Sequence, residues 1–168
     1  SEQDCGAVIA NNGYGSAFSD LDRDGDLDIV LVGSPSNIGS VHLLRNDSDF
    51  NNWIILRLRQ ETNNLFAIGS TVELHHNNVQ QVNYIAAGNS YCSQSTIDTH
   101  FGLSNTSSID SAVVYWPDGG KEVFYDLHIN NRNYLIRGTG LANLDIKKLV
   151  VKPQEFSIKG LYPNPFNN

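Results

Sequence analysis

Apolar residues nowhere recur at the i, i+3, i+4, i+7 spacing of an amphipathic helix over a long window. Short β-branched and aromatic runs recur instead, cut by Gly, Asn, Asp and Ser. That pattern confines the chain to strands. The candidates are Asp28–Val32, Val41–Arg45, Trp53–Arg59, Thr71–His76, Val79–Ala86, Ser111–Trp116, Glu122–Tyr125 and Tyr134–Arg137. Within Trp53–Arg59 the alternation predicts Ile54, Leu56 and Leu58 toward a core and Arg57 and Arg59 toward water. Asn77-Asn78 separates two of the runs, and Asn tolerates the positive φ of a two-residue hairpin turn. Pro117-Asp118-Gly119-Gly120 reads as a second hairpin loop. Many short strands joined by such turns predict an all-β sandwich or barrel-like fold.

The 168 residues suffice for one ordinary domain or two small ones, and 40% are hydrophobic, enough for a core. Charged residues make up only 17%, so Asn pairs such as Asn63-Asn64 and Asn130-Asn131 do much of the surface solvation. A net charge of -7 with 11 Lys and Arg leaves no basic stripe for a nucleic-acid backbone. Every apolar run is far shorter than the roughly 20 residues of a membrane-spanning helix. Met is absent and no charged-then-apolar leader opens the chain, so it is expected to be an excised or processed piece of a longer protein, or the ordered part of one. Cys5 and Cys92 allow either one long-range disulfide in an oxidising compartment or two thiols, and their spacing matches no zinc or CxxC site.

The sharpest chemistry lies in Asp20-Leu21-Asp22-Arg23-Asp24-Gly25-Asp26-Leu27-Asp28. Five carboxylates fall within nine residues. Without a cation they repel one another. Alternate acids at Asp20, Asp22 and Asp24 converge when the chain curls, Gly25 supplies the turn, and the Asp26 carbonyl with the Asp28 carboxylate can close a shell. Calcium takes six to eight oxygens at roughly 2.3–2.6 Å and suits this donor set, whereas magnesium prefers fewer protein ligands and stricter geometry. The closing carboxylate comes at the ninth position and the flanks read as strand, which argues against an EF-hand. A solvated acidic turn explains a lone Asp-x-Asp better than it explains this full spacing. A catalytic dyad would need one carboxyl kept protonated, which a metal shell opposes. The expectation is a structural Ca2+ held by Asp20, Asp22, Asp24, Asp26 and Asp28.

With Gly13-Tyr14-Gly15-Ser16-Ala17-Phe18-Ser19 before it and Ile29-Val30-Leu31-Val32 after it, this loop resembles an FG-GAP/VCBS repeat, the calcium-loop blade of integrin-α-like propellers. The resemblance implies side-chain ligands at Asp20, Asp22, Asp24 and Asp28 and a main-chain ligand at Asp26. One copy is present, so the repeat either follows blades lying upstream or packs on the next domain. The region after it resembles an ASPIC/UnbV domain, as in cartilage-acidic-protein-like secreted chains. The matching pieces are Asn52-Trp53-Ile54, Ile68-Gly69-Ser70-Thr71-Val72, Ala87–Ser95, His100-Phe101-Gly102-Leu103 and Val114–Gly119. Asn89 and Cys92 depart from that pattern, and Cys92 is therefore a candidate partner of Cys5. Finally, Phe156-Ser157-Ile158 and Leu161–Asn167 (LYPNPFN) resemble the opening of a type IX secretion sorting domain, which implies an extracellular or cell-surface address. The expected layout is a calcium repeat over 1–48, the ASPIC/UnbV β domain over 49–137, a linker over 138–155 and the sorting-domain start over 156–168.

Other candidates carry less. His75 and His76 are adjacent on a predicted strand, so they point to opposite faces and cannot share one metal ion. His100 is expected as a hydrogen-bonded imidazole. Ser90–Ser95 lacks a G-x-S-x-G elbow and reads as a polar fastening loop. Tyr84, Tyr91, Tyr115, Trp116 and Tyr125 could stack on sugars, but most such residues in a sandwich are core. Asn46-Asp47-Ser48 and Asn105-Thr106-Ser107 are formal glycosylation sequons. The composite expectation is a non-enzymatic, calcium-stabilised extracellular module that binds a protein or glycan partner. Two rival expectations are a self-associating filament or surface-layer subunit and a polysaccharide-holding accessory domain of an exported enzyme.

Overall fold

The structure, a computed structural model, describes residues 13–33, 40–47, 51–61, 63–89, 91–140 and 142. Cys5, most of the expected linker and the LYPNPFN segment lie outside the described residues. Those described form ten strands and no helix. In chain order these are β1 (Gly13–Ser19), β2 (Asp28–Gly33), β3 (Ser40–Leu44), β4 (Asn52–Arg59) and β5 (Thr71–His76). They continue with β6 (Val79–Tyr84), β7 (Thr99–Ser104), β8 (Ser111–Tyr115), β9 (Lys121–Phe124) and β10 (Arg132–Ile136). Three sheets result, ordered β1-β2-β3, β10-β4-β7 and β6-β5-β8-β9.

The last two sheets enclose one core. Ile54, Leu56 and Leu58 of β4 join Phe101 and Leu103 of β7, and they meet Val72, Leu74, Ala112, Val114 and Phe124 of the four-stranded sheet. Each large side chain buried here contributes roughly 1.5–3 kcal/mol. One flank is bridged by side chains, since Gln81 Nε2 of β6 donates to the Gly102 carbonyl of β7 at 2.9 Å. The Asn77-Asn78 turn takes positive φ at both residues (46° and 60°), the twist that a tight hairpin between β5 and β6 requires. Between β8 and β9, Trp116 N donates to the Gly120 carbonyl and Gly119 adopts φ 88°.

Alternation along β4 gives the core face correctly, but its other face is not simply wet. Ile55 is also buried, and the register sets it beside His100 of β7 and Arg132 of β10. Arg57 turns to the buried carboxylate of Asp98, which also receives Arg132 at 3.2 Å. Buried charge of this kind persists only when paired. The loop between β1 and β2 reaches this second face at Trp53 and His100.

Two strands escaped the pattern, β1 and β7. Both carry glycine where a strand is expected to carry bulk (GYGSAFS and THFGLS). Conversely, the run expected over Val79–Ala86 ends as strand at Tyr84, because Ile85 bonds instead to Ser70 and Gly69 across a turn.

Candidate metal centre

Strands β1 and β2 form a hairpin that closes at the Ser19–Asp28 pair, and the aspartate loop is its connection. Positive φ at Arg23 (70°) and Gly25 (102°) curls the chain. Short side-chain bonds hold the curl: Asp24 N donates to Asp22 Oδ1 at 3.3 Å and Asp26 N to Asp24 Oδ1 at 2.9 Å. Such Asx contacts orient carboxylates toward the loop interior.

The result brings three of the five expected residues together. One carboxylate oxygen from each of Asp20, Asp22 and Asp24 lies within 4.8 Å of the others. Asp22 and Asp24 are exposed, whereas Asp20 is only 9% exposed and its Oδ1 has no hydrogen-bond partner. A buried carboxylate oxygen left so is costly, and a cation is the natural remedy. The spacing fits too, because two oxygens on opposite sides of one calcium stand about twice the roughly 2.3–2.6 Å bond length apart.

Asp28 lies outside that group of three and is held by backbone donors. It is 1% exposed, and its two oxygens accept from Leu21 N at 2.9 Å and Asn46 N at 3.0 Å. The carboxylate thus ties both ends of the loop to the segment after β3. Asp26 stands outside the three-carboxylate group. Nearby, Arg45 reaches Asp47 at 2.6 Å and Asp22 at 3.8 Å, both on the surface. The hydrogen bond and charge of Asp47, then the charges of Asp22 and Asp24, raise the Arg45 pKa further above its ordinary value. Such exposed pairs stabilise little.

The loop apex docks on the sandwich. A Cβ at Gly25 would fall 1.9 Å from the Trp53 ring of β4, so only glycine fits. The Gly25 carbonyl lies 2.6 Å from His100 Nε2, which must carry the donated proton because a carbonyl only accepts. Trp53 and His100 stack with centroids 6.5 Å apart and planes 17° apart. Along the hairpin, Thr96 N donates to the Phe18 carbonyl at 3.0 Å, Phe18 N to Ser95 Oγ at 3.2 Å, and Ser93 Oγ to the Ser16 carbonyl at 2.7 Å. The serine stretch is therefore a fastener between hairpin and sandwich. Sequence reasoning did not identify Trp53 as a docking residue; the glycine at the loop apex was the only available signal.

The remaining candidates separate cleanly. His76 is buried between Gln81 and Thr106, while His75 on the opposite face lies 3.7 Å from Glu73. Trp116 belongs to the core, whereas Tyr84, Tyr91 and Tyr125 are exposed. Cys92 is an exposed free thiol among the described residues.

No curated protein matches the chain. Residues 60–141 match the family model described as ASPIC and UnbV, a stretch that begins after β4, takes in β5 through β10 and contains His100, so the ASPIC/UnbV likeness covers the sandwich apart from β4.

Proposed function

We propose that this chain is a non-enzymatic, calcium-stabilised binding module of a larger exported protein, presented outside the cell. The observation that carries the calcium part is the buried, unpartnered Oδ1 of Asp20 beside Asp22 and Asp24. Bound Ca2+ would supply positive charge to a loop rich in carboxylates. Asp20, Asp22 and Asp24 would hold it, with the main chain at Asp26 available in addition. Asp28 fixes the loop ends by accepting backbone N–H groups. Gly25, Trp53 and His100 convert a rigid loop into a fixed angle between hairpin and sandwich.

The export part rests on the LYPNPFN segment and its resemblance to a sorting-domain opening. A rigid β scaffold with few charges suits the display of a surface to a protein or glycan partner. The test is a thermal melt in calcium and in EGTA. Binding to the folded state alone stabilises by RT ln(1 + [L]/Kd), about 2.7 kcal/mol at a hundredfold excess over Kd. An unchanged midpoint would remove the calcium part of this reading.

One observation favours self-association as a second reading. Strand β3 pairs on one side only among the described residues, and Val41 and Leu43 on it are 72% and 60% exposed. Such an edge invites pairing with another chain. Sedimentation across a concentration series tests it, and a monomer throughout would dismiss it.

A further inference from the structure

Between the hairpin and the sandwich lies a cavity of about 210 Å³. Phe18 and Leu27 form one wall, and Tyr84, Asn89, Thr96 and Asp98 contribute to the other. It is smaller than the roughly 300 Å³ at which drug-sized sites begin, and junctions between packed units are where binding clefts concentrate.

The lining selects a ligand chemistry. Asp98 is its only acid or base apart from His100, and that carboxylate is already held by Arg57 and Arg132. Arg57 and Arg132 are not among the lining residues, so no charged side chain on the lining is left unpaired for an ionic ligand. Donors and aromatic surface remain instead. Asn89 uses Oδ1 to accept from Ser95 N, and its Nδ2 group, a donor, has no hydrogen-bond partner among the described residues. Thr96 Oγ1 accepts from Asp98 N and keeps its own proton to donate. Tyr84 and Phe18, 68% and 42% exposed, both line the cavity and bring aromatic surface to it. Apolar faces beside uncharged hydrogen-bonding groups match a pyranose, which presents C–H patches and vicinal hydroxyls together.

We infer that this junction cavity binds one neutral sugar ring, the terminal residue of a glycan. This rests on the reading of the chain as a binding module and names its ligand class. The site also depends on docking of the hairpin, because Phe18 and Leu27 belong to the hairpin and the neighbouring His100 holds Gly25.

The experiment presents the full chain in millimolar Ca2+ to arrayed neutral and acidic glycans, with methyl glycosides as competitors. The expected result is retention on neutral glycans, competed by the methyl glycoside of the terminal sugar. Tyr84→Ala and Asn89→Asp should each weaken retention about tenfold at an unchanged melting temperature, whereas Tyr125→Ala on exposed surface elsewhere should not. Three results overturn the sugar site: no retention, retention only on acidic glycans, or retention that survives both substitutions. A protein that fails these tests yet melts higher in calcium than in EGTA loses the sugar site and keeps the calcium reading. Sugar binding lost in Tyr84→Ala, without any calcium effect on melting, does the reverse.

Discussion

The carbonyl of Gly25 and the Nε2 of His100 lie 2.6 Å apart, although 75 positions separate them in the chain. One belongs to the apex of an acidic loop, the other to the outer face of a sandwich strand. Their contact makes loop shape a condition for hairpin docking.

Gly25→Ala should therefore be severe. Its φ of 102° disfavours any side chain, and the added methyl would enter the Trp53 ring. Backbone strain alone is worth about 1–3 kcal/mol. The expected outcome is a melting temperature lower by several degrees and increased proteolysis between β1 and β2, read by limited digestion.

Asp20→Asn separates the cost of the empty loop from the gain of a filled one. Removing a buried, unpartnered charge should leave stability in EGTA unchanged or higher. The calcium-induced rise in melting temperature should shrink or vanish. Paired melts of the two proteins check both halves.

Asp28→Ala should behave differently. Its carboxylate accepts two backbone N–H groups, and hydrogen bonds to charged groups are worth about 1.5–3 kcal/mol each. The variant is expected to lose stability in EGTA as well as in calcium, by denaturant titration. A loss confined to calcium would make Asp28 a ligand only.

Much of this was legible beforehand. Runs such as Thr71–His76 alternate so strictly that their bounds and faces follow from period two alone, and Asn77-Asn78 announces its own turn. The aspartate spacing marked the loop. Sequence could not say that Asp28 would turn to backbone donors, since that depends on Asn46 arriving beside it. Nor could it show that β4 is covered on both faces, because Arg57 looks solvent-bound until Asp98 and Arg132 are folded around it. Local pattern reports a strand's own alternation; what lies over each face is decided by distant residues.

Asp118 provides a pH signature. Its hydrogen bond with Arg137, then the Gly120 N–H and the Arg137 charge, hold its carboxyl below the usual carboxylate range. A depressed folded pKa means the contribution is present above the unfolded value, near 3.9, and fades as pH falls through the folded value. NMR titration should find Asp118 low, and Arg137→Ala should return it toward the ordinary value. The pair is exposed, so global stability should hardly respond.

Equilibrium dialysis against radioactive calcium addresses the central claim most directly. The account predicts one ion bound per chain, saturably, and none to a protein carrying Asp20→Asn with Asp24→Asn. A native chain that retains no calcium at millimolar concentrations, or a doubly substituted one that binds as the native does, would contradict it.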